Sequence, residues 1–372
     1  MKYFAQSLLI AILTVSEITF AQVYESEGQK ITLEKLFDGG EVIWGFDFIN
    51  LKNANDILFS ERSGKLKYLN LKNGKAVDIA GAPKVFAEAQ GGLLDIFIDH
   101  STNNIYITYA EPVGKDATTS LFKAQLSKDK TKLTGSRIFQ AKAFDDDGVH
   151  FGSRVVMDKE GFLFMSIGER NERDKAQDLS VHNGKILRLT TDGKPAPGNP
   201  FIKNKKALPE IWSLGHRNPQ GLFIDSSGAL LAAEFGPRGG DEVNLIEKGK
   251  NYGWPVITYG KEYYGPSIGK KELSGMEQPL FHWVPSINPS GMMIYSGQVF
   301  PQFEGNIFLA TLNNGHLHRI VIDKNYKMLK EEKLVDDISE RFRQIKTGPD
   351  GLIYVSTDSG KIFRLKPVDV KK

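Results

Sequence analysis

The chain has 372 residues, 40% hydrophobic and 25% charged, with a formal net charge of +3; these are the proportions of a soluble globular protein. So small a net charge, with no Lys/Arg block and no basic stretch interleaved with aromatics, argues against nucleic acid as a partner. The absence of cysteine excludes thiol catalysis, iron–sulfur clusters and cysteine-bound zinc, and leaves stability to a large core or a closed architecture instead of disulfides.

At the N-terminus, Met1 and Lys2 precede the apolar run Ser7-Leu8-Leu9-Ile10-Ala11-Ile12-Leu13, and Thr19-Phe20-Ala21 offers a cleavage sequence. This predicts a secretory signal peptide over residues 1–21 and a periplasmic or secreted location. Glu17 and Phe20 fit the cleavage region imperfectly. An uncleaved membrane anchor is the alternative, although the run is short for a span. No other segment suits stable membrane insertion.

From there one pattern recurs: an Asp, Asn or Gly turn, a short run of β-formers, a polar break, and a second strand. The copies begin at residues 56, 104, 161, 228, 306 and 351, and the clearest is Gly351-Leu352-Ile353-Tyr354-Val355-Ser356-Thr357 followed by Gly360-Lys361-Ile362-Phe363-Arg364-Leu365. Alternating β-branched and aromatic residues make these strands, and the turn glycines make them hairpins. One antiparallel unit repeated at intervals of about 45 residues or more is the mark of a propeller. Six copies predict an all-β, six-bladed β-propeller of four-stranded blades, one domain over residues 23–366 with a polar tail at 367–372. A pair of β-sandwiches, which do not repeat in this way, is the alternative. The uneven spacing marks inserted loops, which are expected to build a site at one mouth of the channel.

The loops carry the polar chemistry. Asp145-Asp146-Asp147-Gly148 leads to His150, which stands just ahead of a strand as a candidate general base or a structural histidine. Gly215-His216-Arg217-Asn218-Pro219-Gln220-Gly221 supplies a guanidinium fork and an amide, with His216 expected to hydrogen-bond behind them. Phe235-Gly236-Pro237-Arg238-Gly239-Gly240-Asp241-Glu242 and Asn251-Tyr252-Gly253-Trp254-Pro255 follow, with Asp241 and Glu242 able to ligate a hard cation. Arg341 and Arg343 fall on one side of an extended segment, as surface charge or as a binding pair. With Arg217 they suit a small polyanion. The other histidines, His100, His182, His282, His316 and His318, suggest no partners. No Rossmann fingerprint, P-loop, His-Glu-x-x-His or Gly-x-Ser-x-Gly elbow is present.

Taken in order, Gln90-Gly91-Gly92-Leu93-Leu94-Asp95, His150-Phe151-Gly152-Ser153-Arg154, Ala176-Gln177-Asp178-Leu179, the Gly215 and Gly236 loops, Pro285-Ser286-Ile287-Asn288-Pro289 and Arg341-Phe342-Arg343-Gln344 closely resemble the soluble aldose/glucose dehydrogenases that depend on pyrroloquinoline quinone (PQQ). The resemblance covers nearly the whole mature chain. It implies oxidation of an aldose at its anomeric carbon to the lactone, with electrons passing to an external acceptor. It makes His150 the base and Arg217 the group that polarises the quinone oxygen. Gln90, Asn218, Tyr263, Arg341 and Arg343 become further cofactor contacts, the two arginines suiting the carboxylates of PQQ. The carbonyls of Gly236 and Pro237 resemble ligands of a Ca²⁺ beside PQQ. Glu242 and the carbonyl of Tyr252 resemble ligands of a second, structural Ca²⁺.

Two positions depart from the family pattern. Asn313 stands where relatives often place a lysine against the cofactor, and Phe235 where a polar residue is usual, which is expected to alter the rim near the substrate. Residues 170–182 and 261–273 are expected to shape the pocket. The residues alone leave open a Ca²⁺-dependent hydrolase such as a lactonase, and a non-catalytic sugar- or partner-binding propeller. They also leave open monomer or homodimer.

Overall fold

Asp side chains close the turns at which copies of the repeat begin. Asp158 Oδ1 accepts from the amides of Glu160 and Phe162, Asp225 Oδ1 from Ser227 and Ala229, and Asp99 Oδ1 from Ser101. A carboxylate that accepts from amides two and four residues on fixes the turn before any sheet forms. The computed structural model describes residues 22–313 and 315–368, so the signal-peptide segment and most of the predicted tail lie outside the described residues.

These turns link the strands into six antiparallel sheets arranged as a six-bladed propeller. The innermost strands of blades one to six are Ile43–Phe48, Leu93–Asp99, Val155–Met157, Pro219–Ile224, Pro289–Ile294 and Phe342–Thr347. The six sequence repeats are the second and third strands of each blade, such as Leu163–Ile167 with Lys185–Leu189 in blade three. The ring closes through the N-terminal strand Gln29–Asp38, which pairs with Lys361–Pro367 as the outer strand of blade six. The remaining strand, Val23–Ser26, adds to its edge.

Each of the six largest apolar clusters lies between two consecutive blades. Between blades five and six, Phe300, Phe303, Phe308 and Phe342 are fully buried, each side chain contributing about 1.5–3 kcal/mol by leaving water. Because blades cover one another on both faces, the second strands of blades three to six are buried along their whole length. Ile307–Thr311 and Ile353–Thr357 have no exposed residue. The expected period of two is therefore weak there, and it is the outer strands, such as Met328–Leu334, that face water. Helix is confined to two short 3₁₀ turns among the described residues, and none of their helices is long and apolar enough to cross a membrane.

Candidate active site

In an antiparallel four-stranded blade the start of the first strand, the loop from second to third strand and the exit of the fourth all lie at the same end. Six blades therefore bring two sets of loops to one mouth. A cavity of about 420 Å³ opens there, the size of a small-molecule site. Gln90, His150, Arg217, Asn218, Asn288 and Arg341 reach it from just ahead of innermost strands, and Arg62, Phe235, Gly236 and Asp358 from second-to-third-strand loops. Tyr263 arrives differently, on the long insertion between the third and fourth strands of blade four.

The floor has its own cause. In five of the six blades the pairing of the innermost strand slips near its mouth end: at Ile43/Gly45, Leu93/Ile96, Pro219/Gly221, Pro289/Met292 and Phe342/Gln344. A bulge re-aims the side chain it skips. The skipped residues include Trp44, Asp95, Gln220, Ser290 and Arg343. They are joined across the channel: Gln220 Oε1 accepts from Arg343 Nη1 at 2.9 Å and from Ser290 Oγ at 3.2 Å. Asp95 pairs with the buried Arg154 at 2.6 Å, and Arg154 Nε donates to the Gln220 carbonyl.

His150 is held from three sides. Its backbone has φ 51° and its amide donates to Gln90 Oε1 at 3.0 Å. A side chain at Gly168 would strike the His150 carbonyl, which explains a glycine there. Asn218 Oδ1 accepts from the Gly152 amide and so fixes the turn that follows. The ring Nδ1 lies 2.5 Å from Oε1 of the buried Glu169, an arrangement that places the proton on Nδ1 and leaves Nε2 as acceptor. Burial is the largest influence on the imidazole and pushes its pKa below the ordinary value. The bond to Glu169 opposes that, while the charges of Arg217 and Arg170 add to it. A neutral imidazole on the wall of a polar cavity can take a proton.

The arginines divide by partner. Arg217 is almost fully buried; its Nη1 donates to the carbonyls of Phe235 and Gly236 at 3.2 and 2.9 Å, and its Nη2 lies 3.4 Å from the Tyr263 hydroxyl. It has no carboxylate partner among the described residues. Arg341 and Arg343 instead share Asp358, with Arg343 bidentate at 2.8 and 2.9 Å and Arg341 Nε at 2.9 Å. Burial raises the pKa of Asp358, but the two arginines outweigh it and hold the carboxyl below its usual range. Asp358 was not among the sequence candidates; its signal would have been its place in the same loop of blade six that Phe235 and Gly236 occupy in blade four.

Behind Arg217 and Phe235 lies a second, tight cavity of about 10 Å³, bordered by Glu234, Glu242 and Tyr252, room for about one water or ion. Glu234 and Glu242 face each other across two strands, and the Asn244 amide donates to both at 3.1 and 3.2 Å. Burial first, and then the charge of Glu234, push Glu242 up to about 8. The side-chain Oδ1 of Asn244 is buried without a partner among the described residues. Oxygen-only donors with surplus negative charge are what a hard cation takes, so the residues expected for a structural Ca²⁺ fit one.

The structure sorts the remaining expectations. Asp241 accepts from the amides of Gly236, Ile287 and Asn288 and from Ser286, so its carboxylate is occupied by the chain. Gly236 is on the cavity wall and its carbonyl accepts from Arg217, whereas Pro237 borders neither cavity. His216 hydrogen-bonds behind the site as expected, to Glu234 and Ser213, stacked on Tyr252. Phe235, expected at the rim, is only 8% exposed and borders both cavities. Asn313 is exposed and donates to the Ser286 carbonyl, while its neighbour Leu312 lines the cavity. No residue of 170–182 lines it. Arg170 instead donates to the carbonyls of Val149, Ala117 and Ala143, and Arg173 reaches Glu262 at 2.7 Å, tying the two loops together. His316 and His318, without partners by sequence, form a buried chain from Thr311 to Glu331. Glu169 escaped sequence reading because one glutamate in a loop has no distinguishing spacing.

The family described as glucose/sorbosone dehydrogenase matches residues 41–364. The aldose sugar dehydrogenase YliI of Escherichia coli is 39% identical over 350 residues, covering 91% of this chain and 93% of that one. The structure of a soluble aldose sugar dehydrogenase from Escherichia coli, in its apo form, superposes with a TM-score of 0.87 at 36% identity, over 91% of this chain and all of the other. An aldose sugar dehydrogenase from Streptomyces coelicolor, solved in a PQQ-bound form, superposes with a TM-score of 0.74 at 25% identity, over 91% of this chain and 99% of that one. The cavity fits such a group by its charge: four arginines line it against the carboxylate of Asp358, which is already paired.

Proposed function

The chain belongs to the glucose/sorbosone dehydrogenase family, oxidoreductases that act on sugars, and on that premise we propose that it oxidises aldoses at the anomeric carbon to the lactone with PQQ and Ca²⁺. When bound, PQQ supplies the two-electron acceptor for the hydride that leaves the anomeric carbon. The chain's own part is to hold the sugar and move its proton. His150 Nε2 takes the proton of the anomeric hydroxyl as that carbon gives up its hydride, and Glu169 stabilises the imidazolium that results. Arg217, free of any carboxylate partner among the described residues, directs an undiminished positive charge at oxygen that gains negative charge. Arg341 and Arg343, orientated by Asp358, hold carboxylates of the cofactor. Glu242, with Glu234 beside it and the carbonyl of Tyr252, would hold a structural Ca²⁺, and the Gly236 carbonyl on the cavity wall would serve a second one there. The reaction takes place in the periplasm or outside the cell, with residues 1–21 as the export signal, and the electrons leave to an external acceptor.

One observation carries this reading: a neutral histidine with a buried carboxylate behind it and an unneutralised arginine share a cavity otherwise rich in positive charge. A hydrolase with a metal held by acidic side chains in the channel needs the opposite lining. The test is reconstitution of the mature protein with PQQ and Ca²⁺, followed by dye reduction across a panel of aldoses. Reduction that requires both additives and is lost on chelation is the expected result; turnover of lactones without PQQ would replace this reading with hydrolysis.

A further inference from the structure

Arg62 is a cavity residue that neither the sequence motifs nor the proposed mechanism uses. Its place is rigid. Its amide donates to the Val42 carbonyl at 2.9 Å and its carbonyl accepts from Leu93 at 3.1 Å. A Cβ at Gly92 would lie 1.9 Å from that carbonyl, so blades one and two close on this residue. Its side chain lines the cavity beside Trp44, Ala89 and Gln90.

Its charge is uncompensated. A guanidinium has five N–H donors, and the hydrogen bond recorded for this side chain is the one from Nη1 to the Ala89 carbonyl. No carboxylate lies within ion-pair reach of it among the described residues. Arg341 and Arg343, by contrast, have both committed donors to Asp358. Blade one is next to blade six and across the ring from blade four. Arg62 therefore extends the Arg341–Arg343 cluster and faces the side that carries Arg217. A neutral sugar is served by amides, carbonyls and aromatic faces and gives no reason to keep a bare guanidinium; a polycarboxylate does.

We infer that Arg62 binds a carboxylate of the tricarboxylate cofactor, as a further cationic contact opposite Arg217. The inference rests on the PQQ reading above, and its test separates the two. PQQ is titrated into the Ca²⁺-loaded mature protein and its Arg62→Ala and Arg62→Lys variants, followed by tryptophan fluorescence, with Trp44 on the cavity wall as reporter. One charge-assisted bond predicts a Kd raised about tenfold to a hundredfold in Arg62→Ala. Arg62→Lys, which keeps the charge and loses the fork, should fall between, and the wild type should lose more affinity than Arg62→Ala when salt is raised. An unchanged Kd in Arg62→Ala overturns the inference. So does a raised KM for the sugar with the cofactor Kd unchanged, since that would put Arg62 on the substrate. A wild type that binds no PQQ overturns the cofactor reading itself, whatever the variants do.

Discussion

Two polar regions meet at Arg217, Phe235 and Gly236, and they are opposite in sign. On one side the cavity gathers Arg62, Arg217, Arg341 and Arg343 against Asp358; on the other, Glu234 and Glu242 face each other with the Asn244 amide between them. The first is sized for a small molecule and the second for an ion. No ion pair joins the two regions among the described residues, although Arg217 borders both. Arg217 spends its Nη1 on the Phe235 and Gly236 carbonyls, and its amide donates to Glu234 at 2.8 Å. Two charge imbalances kept apart in one fold are costly for folding alone, and they make sense as matching halves for two different ligands, a polyanion and a dication.

The largest expected effect tests what the cationic half is for. It keeps His150 neutral, through burial and then through the charges of Arg217 and Arg170 against the pull of Glu169. His150→Ala should lower turnover by about 10²–10⁴, or roughly 3–5 kcal/mol of barrier, while PQQ, held by arginines, still binds. Steady-state dye reduction and a fluorescence titration on the same sample check both parts. Full turnover in the variant would mean that the positive cavity has another base, and a loss of cofactor binding equal to the loss of rate would make His150 a contact instead.

The anionic half is broken by Glu242→Gln. Ca²⁺ at a hundred times its Kd should stabilise the wild type by about 2.7 kcal/mol, a rise of several degrees in Tm. The variant should lose that response. Without Ca²⁺ it should melt above the wild type, because a buried carboxylate facing Glu234 has been neutralised. The sign is the informative part: a structural role for Glu242 without a cation predicts a lower Tm in both conditions. Thermal melts of the two proteins with Ca²⁺ and with chelator decide it.

What could be read in advance follows the same division. The blade count was legible because the second and third strands recur with their turns, and closure through Gln29–Asp38 was not, because an outer strand exposed on one face has no repeat to match. Gln90, His150, Arg217, Asn218, Tyr263, Arg341 and Arg343 do share one cavity wall, since all but Tyr263 stand at or just ahead of an innermost strand. The compensating charges were hidden. Glu169, Glu234 and Asp358 are single acidic residues at or just past the end of a second strand, brought to their partners only when that strand pairs with the first strand of the same blade. The bulges were equally invisible: one skipped residue in the pairing leaves no mark in composition, yet it decides that Gln220 and Arg343 meet.

The smallest effect probes the carboxylate that acts on the cationic half from outside it. Glu169 does not line the cavity, but it holds His150 Nδ1 at 2.5 Å and raises a pKa that burial and the arginines lower. Glu169→Gln keeps a hydrogen-bond acceptor and removes the charge. With that opposing influence gone, the imidazole pKa falls further, so the acid limb of the turnover profile should move to lower pH. At the plateau turnover should fall by roughly tenfold, the loss of about 1.5 kcal/mol from one charge-assisted bond to a developing imidazolium. A merely structural glutamate would reduce the amount of active protein and leave the limb in place; a limb that moves to higher pH would mean that the limb does not report the titration of His150.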